Sequence, residues 1–388
     1  MSETCDVAVI GAGVFGAWIT WHLQRAGQRV LLIDQYGPAS ARASSAGETR
    51  VIRMAYGPDA IYTRMAQRSL GQWKDFFARI ARAELFRETG VLSMAAADDT
   101  AAAQSVATLQ QLGIPHQVLD SDTLAQRYPQ IAIPPGGWAI FEPQSGALLA
   151  RRAVQAVVED SLRAGAELRI DTVLAAVCDG QTDAGHLTEI RTGSGTAIRA
   201  RRFVFACGPW LGSVLPDVLA GRIFPTRQEV FYFGGAAGDR RFGSPALPIW
   251  LDFGRGYYGC PDIEGRGFKL AHDAHGEAID PDGVDRVPSP VRIAHAREFL
   301  AHRFPALAAA PLLGAEVCQY ENSSNGDFLI DRHPAFDNVW IAGGGSGHGF
   351  KHGPAVGEYL AGRMLHDGPV EPRFSLATKN TLHRREVH

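Results

Sequence analysis

A glycine-rich turn near the start of the chain has the spacing of a phosphate-binding loop. Its glycines are Gly11, Gly13 and Gly16, and they follow an apolar, β-prone run over residues 5–10. This spacing allows a tight turn and lets the backbone approach a pyrophosphate, which the N-terminus of the following helix attracts. Asp34 ends the next predicted strand and is placed to accept hydrogen bonds from a ribose. The motif predicts a bound dinucleotide, but by itself it does not separate NAD from FAD.

A second glycine cluster lies near the other end of the chain. Gly345, Gly347 and Gly349 follow an apolar run over residues 339–342, and a helical pattern begins at about residue 354. Glycine lets the backbone approach a flat ligand, and the N-terminal end of a helix favours an electron-rich oxygen. His348 and Lys351 lie within and beside this cluster. Two such loops at opposite termini predict one large cofactor held from both sides.

The elements around these loops divide the chain into two alternating patterns. Residues 5–34 indicate a strand, a helix and a second strand, and this α/β pattern returns further along the chain. The intervening stretches contain short strands, hairpins and isolated helices. We therefore predict an α/β fold in which a Rossmann-like βαβ cofactor domain is interleaved with a mostly antiparallel, α+β substrate domain. The predicted cofactor domain comprises residues 1–87, 150–222 and 322–388, and the predicted substrate domain comprises 88–149 and 223–321.

The composition excludes several classes of partner. The formal net charge of the 388 residues is −3, so we expect neither a nucleic-acid-binding face nor a polybasic membrane patch. The chain has no apolar run long enough to cross a bilayer and no N-terminal signal pattern, so the cytoplasm is the expected location. Its five cysteines are scattered without a C-x-x-C pair, so neither a metal site nor a disulfide framework is predicted.

Four stretches, taken together, are specific to one protein family. They are residues 11–16 (GAGVFG), 47–57 (GETRVIRMAYG), 314–320 (GAEVCQY) and 345–351 (GSGHGFK). In content and order they resemble the monomeric sarcosine oxidase group of the D-amino-acid-oxidase-like flavoproteins, which includes N-methyltryptophan and pipecolate oxidases. The resemblance covers nearly the whole chain and implies that the cofactor is FAD.

The resemblance implies roles for three residues around the flavin. Cys318 resembles a cysteine that forms a thioether to the flavin 8α methyl group, since a thiolate can attack an electrophilic form of the ring. The alternative is a small buried core residue. Arg50 resembles an arginine beside the ring. Lys269 resembles a lysine near flavin N5, where a fixed cation stabilises the charge that develops as dioxygen is reduced; the alternative is a lysine at a strand edge.

Four further residues resemble the substrate-binding groups of that family. Arg53 resembles the arginine that binds the substrate carboxylate, a task that suits the planar guanidinium. Lys351 resembles a second carboxylate partner, and it borders the cofactor as well. Tyr258 and Tyr320 resemble tyrosines of the substrate pocket. Considered outside their motifs, the two cations would be surface charges and the two tyrosines core aromatics.

The chain departs from the family pattern at two positions. Ala46 stands where relatives of the sarcosine type carry a histidine, and Asp273 stands where they carry a pocket histidine, with His272 beside it. The smaller Ala46 leaves more room. Asp273 would place a carboxylate near the substrate, which suggests a substrate with a second cationic or hydroxylated group.

The expected activity is FAD-dependent oxidation of a secondary amino acid. The C–N bond of an N-methyl, N-alkyl or cyclic amino acid becomes an imine, which hydrolyses, and dioxygen becomes hydrogen peroxide. The expected partners are this small substrate and dioxygen, and the expected assembly is a monomer or small homo-oligomer. The alternatives are a dehydrogenase that uses another electron acceptor and a flavin-binding subunit of a larger complex. A plain NAD-binding protein would leave the C-terminal glycine cluster unexplained.

Overall fold

The computed structural model describes residues 3–174, 182–183, 185–274 and 276–381 of the chain. The strands are β1 Glu3–Ile10, β2 Val30–Asp34, β3 Thr49–Ile52, β4 Phe86–Arg87, β5 Val91–Ala95, β6 Gln117–Leu119, β7 Trp138–Glu142, β8 Gly146–Leu149, β9 Glu167–Ile170, β10 Thr182–Asp183, β11 His186–Leu187, β12 Glu189–Arg191, β13 Ala197–Phe205, β14 Ile223–Phe233, β15 Ile249–Asp252, β16 Tyr257–Cys260, β17 Phe268–His272, β18 Leu312–Ser323, β19 Leu329–Arg332 and β20 Val339–Gly343. The helices are α1 Val14–Arg25, α2 Ala60–Arg79, α3 Thr100–Gln111, α4 Ser121–Arg127, α5 Ala150–Arg163, α6 Leu211–Val214, α7 Pro216–Leu219, α8 Pro290–Arg303 and α9 Gly353–His366.

The first sheet is built around five parallel strands in the order β20, β13, β1, β2, β9. Strand β19 pairs antiparallel with β20, and β12 pairs antiparallel with β13. Val7, Ala8 and Val9 in β1 are fully buried, as expected for a parallel strand covered on both faces. Helix α9 lies so close to α1 that a Cβ atom at Gly357 would be 2.6 Å from the backbone of Trp18. Because β1 and β20 belong to this sheet, both glycine loops start from the same sheet.

The second sheet has eight strands in the order β18, β14, β17, β16, β15, β5, β7, β6. Neighbouring strands are antiparallel except β15 and β5, which run parallel. Trp250 stacks between Phe268 and Phe299 in its core, with ring centroids 5.5 and 5.6 Å away. A small third sheet, β3–β8–β4, carries Arg50.

The α/β fold class predicted from the sequence is confirmed. Strands of the parallel sheet fall in residues 3–34, 167–205 and 329–343, and those of the large antiparallel sheet fall in 91–142 and 223–323. The division into two domains with the boundaries given above remains a prediction. Among the described residues, no helix is both long and apolar enough to span a membrane.

Candidate active site

A large cavity opens at the carboxyl end of the parallel strands, the edge where α/β sheets place their ligands. Its volume is about 1650 Å³ including its opening to solvent. One half is bordered by the glycine loop after β1 and by Asp34 at the end of β2. The other half is bordered by residues of β18 and by the glycine cluster after β20. The sequence-predicted residues that line this cavity are Gly11, Gly13, Asp34, Arg50, Cys318, Tyr320, Gly345, Gly347 and Gly349.

The first glycine loop is held by close backbone contacts. Gly11 has φ +105°, and a Cβ atom there would lie 2.2 Å from the carbonyl oxygen of Ala206. A Cβ atom at Gly16 would lie 1.8 Å from the carbonyl oxygen of Gly11, so Gly16 serves the packing of α1 on β1 and does not line the cavity. Gly13 is the N-cap of α1 and has no side chain to fill the helix end. The Val14 N–H of this turn donates to the Ser45 hydroxyl at 2.9 Å, and the positive N-terminal end of α1 attracts an anionic group.

Asp34 is oriented by the same loop. Its carboxylate accepts from the Ala12 N–H at 2.7 Å and from the Tyr36 N–H at 2.9 Å. Burial raises the pKa of Asp34, and these N–H groups oppose that rise. Since a carboxylate has about four acceptor sites, capacity remains for a sugar hydroxyl.

The second glycine cluster is tied to β18. The Ser346 N–H donates to the Glu321 carbonyl oxygen at 2.7 Å, and a Cβ atom at Gly347, which has φ +79°, would be 2.7 Å from the Tyr320 ring. His348 does not line the cavity, because it stacks on Phe328 with ring centroids 4.9 Å apart. The cluster therefore contacts the cavity through its glycine backbone.

Three groups meet where β3, β17 and β18 converge. Arg50 donates to the carbonyl oxygens of Ser44 and Ala46 at 2.8 and 2.7 Å, which fixes its charge at the cavity wall. Lys269 is buried and donates to the Thr49 carbonyl oxygen at 2.8 Å. Burial lowers the pKa of Lys269 and raises the pKa of Cys318, while Arg50 and Lys269 oppose the latter shift. Burial therefore disfavours the thiolate form of Cys318, whereas the two neighbouring cations favour it.

Two buried cations share one aromatic ring. The Arg53 guanidinium lies 4.9 Å from the ring centroid of Tyr56, and the Lys351 ammonium lies 5.1 Å from the same centroid. Lys351 donates to the Tyr56 hydroxyl at 2.7 Å and to the His348 carbonyl oxygen at 3.1 Å. Arg53 is 5% exposed, and among the described residues its Nη1 has no hydrogen-bond partner and its guanidinium no carboxylate. A buried cation in this state is suited to a bound carboxylate.

The remaining predicted pocket residues form a chain of polar contacts. Tyr320 donates its hydroxyl to Asp273 at 2.9 Å, and the Tyr258 hydroxyl lies 3.3 Å from the Tyr320 hydroxyl. Burial raises the pKa of both tyrosines, and the Asp273 carboxylate raises each further. Both phenols therefore remain neutral hydrogen-bonding groups at physiological pH. Of the three, Tyr320 alone lines the large cavity.

Sequence reasoning missed two residues of this region. Tyr56 lies within the 47–57 stretch, but no pattern in that stretch indicates that its ring contacts both cations. Glu321 follows Tyr320 and lines the cavity with a buried carboxyl group. Near its end, β18 is buried, and an acidic residue there could have indicated a binding site. Buried carboxylates are uncommon without a partner.

These residues fit FAD. The cavity is continuous from the N-terminus of α1 to Cys318 and Tyr320, so a long cofactor could span it. The glycines leave room for its backbone contacts, and Glu321, a buried acid that lines the cavity, has a carboxyl oxygen, Oε1, with no hydrogen-bond partner among the described residues. Within that part of the chain, no group of three or more His, Cys, Asp or Glu side chains could hold a metal ion.

Comparison with known proteins agrees with this geometry. The family model of FAD dependent oxidoreductases (DAO) matches residues 6–363. The chain is 32% identical to a monomeric sarcosine oxidase of Bacillus sp. (strain NS-129), with 98% of this chain and 97% of that protein covered. It is 29% identical to an N-methyl-L-tryptophan oxidase of Yersinia pestis (strain Pestoides F), over 92% of this chain and 94% of that protein.

The fold is also that of a solved structure, the L-proline dehydrogenase from P. horikoshii. The TM-score is 0.83 at 20% identity, with 99% of this chain and 100% of the other covered. The resemblance inferred from the four sequence stretches is confirmed. The chain belongs to the family of FAD-dependent oxidoreductases to which the monomeric sarcosine oxidases belong.

Proposed function

We propose that this protein is an FAD-dependent oxidase of a secondary amino acid. The substrate loses two electrons and two protons at its C–N bond to give an imine, water hydrolyses the imine, and dioxygen takes up the electrons and protons as hydrogen peroxide. The observation that carries this proposal is Arg53, a buried guanidinium with an unpaired donor beside a second cation, Lys351. The names of the relatives, oxidases of sarcosine and N-methyl-L-tryptophan, support the substrate class.

Arg53 and Lys351 bind the substrate carboxylate in this proposal. The Tyr56 ring holds both cations, so the carboxylate is fixed between two charges of defined position. The substrate amine reacts as the free base, because an ammonium has no lone pair to assist the loss of electrons. The two cations lower the pKa of that amine and raise its reactive fraction near neutral pH.

The residues that would hold FAD are those of the large cavity. The loop at Gly11 and Gly13 would face its pyrophosphate, Asp34 its ribose, and the backbone of Gly345 and Gly347 its ring. When bound, FAD supplies the electron-accepting chemistry of the reaction.

Lys269 provides a fixed cation for dioxygen reduction in this proposal. Its ammonium is buried and anchored on Thr49, so it is preorganised and needs no rearrangement as negative charge develops. Lys269→Met should slow the reaction of the reduced enzyme with dioxygen by about 100-fold. Stopped-flow reoxidation measures this rate, with Lys74→Met as the control, since Lys74 does not line the cavity. An unchanged rate in Lys269→Met would remove Lys269 from this role, whereas slow reoxidation of the unaltered enzyme in air would favour a dehydrogenase with another electron acceptor.

Cys318 is the proposed attachment point for the flavin 8α methyl group. Cys318 lines the cavity, and Arg50 and Lys269 favour its thiolate against the effect of burial. Acid precipitation tests this attachment, because the yellow colour stays with the pellet of the unaltered chain and leaves with the supernatant in Cys318→Ser.

We further propose that the protein is a monomer or small homo-oligomer and that it is located in the cytoplasm. Gel filtration measures the assembly, and fractionation of the source cells measures the location.

A peroxide-coupled assay on matched substrates tests the activity. We expect hydrogen peroxide from N-methyl or cyclic amino acids and at least 100-fold less from the corresponding amines without a carboxylate, since the buried cations would lose their partner. Equal turnover of both members of each pair would contradict carboxylate binding. Full flavin content without turnover of any secondary amino acid would contradict the proposed activity.

A further inference from the structure

Glu321 is a buried acid in the wall of the cavity, and none of the reaction steps above uses it. Glu321 is 7% exposed, and its Oε1 has no hydrogen-bond partner among the described residues. The backbone N–H groups of Gly344 and Gly345 face the carboxyl group and favour its charged form, but burial outweighs them and raises its pKa to about 7. An unsatisfied buried carboxyl oxygen is destabilising unless a ligand pairs with it.

The position of Glu321 is defined from both ends of the cavity. Along β18 it follows Tyr320, which borders the glycine cluster at Gly347. On the other side its carboxyl group is close enough to raise the pKa of Cys207. The Cα atom of Cys207 would be 3.1 Å from a Cβ atom at Gly11, the first residue of the phosphate-binding loop. Glu321 therefore lies between the phosphate end and the ring end of the cavity.

We propose that Glu321 is a cofactor-binding residue whose carboxyl group accepts a hydrogen bond from a hydroxyl of the ribityl chain of FAD. This inference rests on the proposed FAD-dependent function. The ribityl chain joins the ring to the phosphates, so it would occupy the middle of the cavity. A hydroxyl is a neutral donor and suits the carboxyl group, whereas a phosphate oxygen has no proton to donate and would repel the carboxylate.

Equilibrium binding of two probes tests this assignment. The full chain carries Cys318→Ser so that flavin exchange is reversible, and flavin fluorescence reports the dissociation constants of FAD and of riboflavin, which has the ribityl chain but no phosphate. Glu321→Ala should raise both constants about 10-fold, because a hydroxyl loses a charge-assisted partner. Glu321→Gln keeps the shape and one acceptor, and it should raise both about 3-fold.

Asn322→Ala is the matched control for general damage to β18. Asn322 is fully buried beside Glu321 and its Oδ1 also has no partner among the described residues, but it does not line the cavity. Its substitution should lower the melting temperature and leave both dissociation constants unchanged.

Three outcomes would overturn the assignment. Unchanged constants in both Glu321 variants would make Glu321 a purely structural acid. A loss of affinity for FAD alone would place the carboxyl group against the adenosine half of the cofactor, which riboflavin lacks. Failure of the Cys318→Ser parent to bind FAD would overturn the proposed function together with this inference, whereas tight binding in the parent and in Glu321→Ala overturns this inference alone.

Discussion

Arg53 differs from the other buried cations of the site in what surrounds it. Lys269 and Lys351 each donate to backbone oxygens, whereas Arg53 contacts the rings of Tyr56 and Phe253 and keeps an unpaired donor. Such a donor destabilises the folded chain by about 1–3 kcal/mol. A residue that is unfavourable for folding and placed beside a second cation indicates selection for ligand binding.

Arg53→Met should separate binding from stability. We expect KM for the amino-acid substrate to rise about 100-fold with a smaller change in kcat, because a bidentate carboxylate partner is lost. We expect the melting temperature of the ligand-free protein to rise, since methionine fills the space without an unpaired charge. Steady-state kinetics and thermal unfolding measure the two effects. The exposed Arg64→Met should change neither, and a fall in melting temperature without a change in KM would make Arg53 structural.

Asp273→Asn should alter substrate preference more than overall activity. The carboxylate of Asp273 accepts from Tyr320, so asparagine keeps an acceptor there while removing the negative charge. KM for a secondary amino acid with a basic side chain should rise about 10-fold, and KM for sarcosine should change less than about twofold. The peroxide-coupled assay compares the two substrates directly. Equal changes for both would exclude a role of Asp273 in recognising a cationic group.

At the scale of elements, the turn between β1 and α1 shows how backbone geometry creates the cofactor site. Gly11 and Gly27 both have positive φ, +105° and +82°. A Cβ atom at Gly11 would overlap the Ala206 carbonyl oxygen, while one at Gly27 would have no atom within 4 Å. The turn at Gly11 is therefore restricted to glycine by contact with Ala206, the residue after β13, as well as by its own conformation.

Gly11→Ala and Gly27→Ala form a matched pair for this element. Gly27→Ala should lower the free energy of unfolding by about 1 kcal/mol, from backbone conformation alone. Gly11→Ala should lower it by more than about 3 kcal/mol and reduce bound FAD, because β1 and β13 must move apart. Urea unfolding and the flavin-to-protein absorbance ratio give both quantities. Equal losses of stability in the two variants would show that the contact with Ala206 is unimportant.

Local patterns predicted the elements well because their causes are local. The apolar run over residues 5–10 forms most of β1, and the helical pattern expected from about residue 354 forms α9 at Gly353–His366. The contacts of Tyr56 with Lys351 and of Glu321 with the glycine cluster join elements from separate parts of the chain. Periodicity carries no information on such contacts, since they depend on how the sheets pack. The family resemblance supplied residue identities at the site but not these two neighbours.

At the scale of the whole molecule, the cavity lies where the two large sheets meet, and its ligand contributes to their association. The parallel sheet provides Gly11 and Asp34, and the antiparallel sheet provides Cys318 and Glu321 through β18. A cofactor that contacts both sheets binds only the folded state of the chain, so it stabilises that state by mass action. In the flavin-free protein the Glu321 carboxyl group lacks that ligand, so its ionisation opposes folding.

This ionisation should make the stability of the flavin-free protein fall as pH rises. The pKa of Glu321 is about 7 in the folded chain against an ordinary value of 4.5, so the unfolded chain releases its proton first. Below pH 4.5 both states are protonated and the carboxyl group has no effect. Between pH 4.5 and 7 the free energy of unfolding falls progressively, and the loss reaches about 3 kcal/mol above pH 7.

Urea unfolding of the flavin-free chain and of Glu321→Gln from pH 5 to 8 measures this difference directly. Other titrating groups are common to both proteins and cancel, so the advantage of Glu321→Gln should grow with pH, and parallel stability curves would show that Glu321 remains ionised throughout this range.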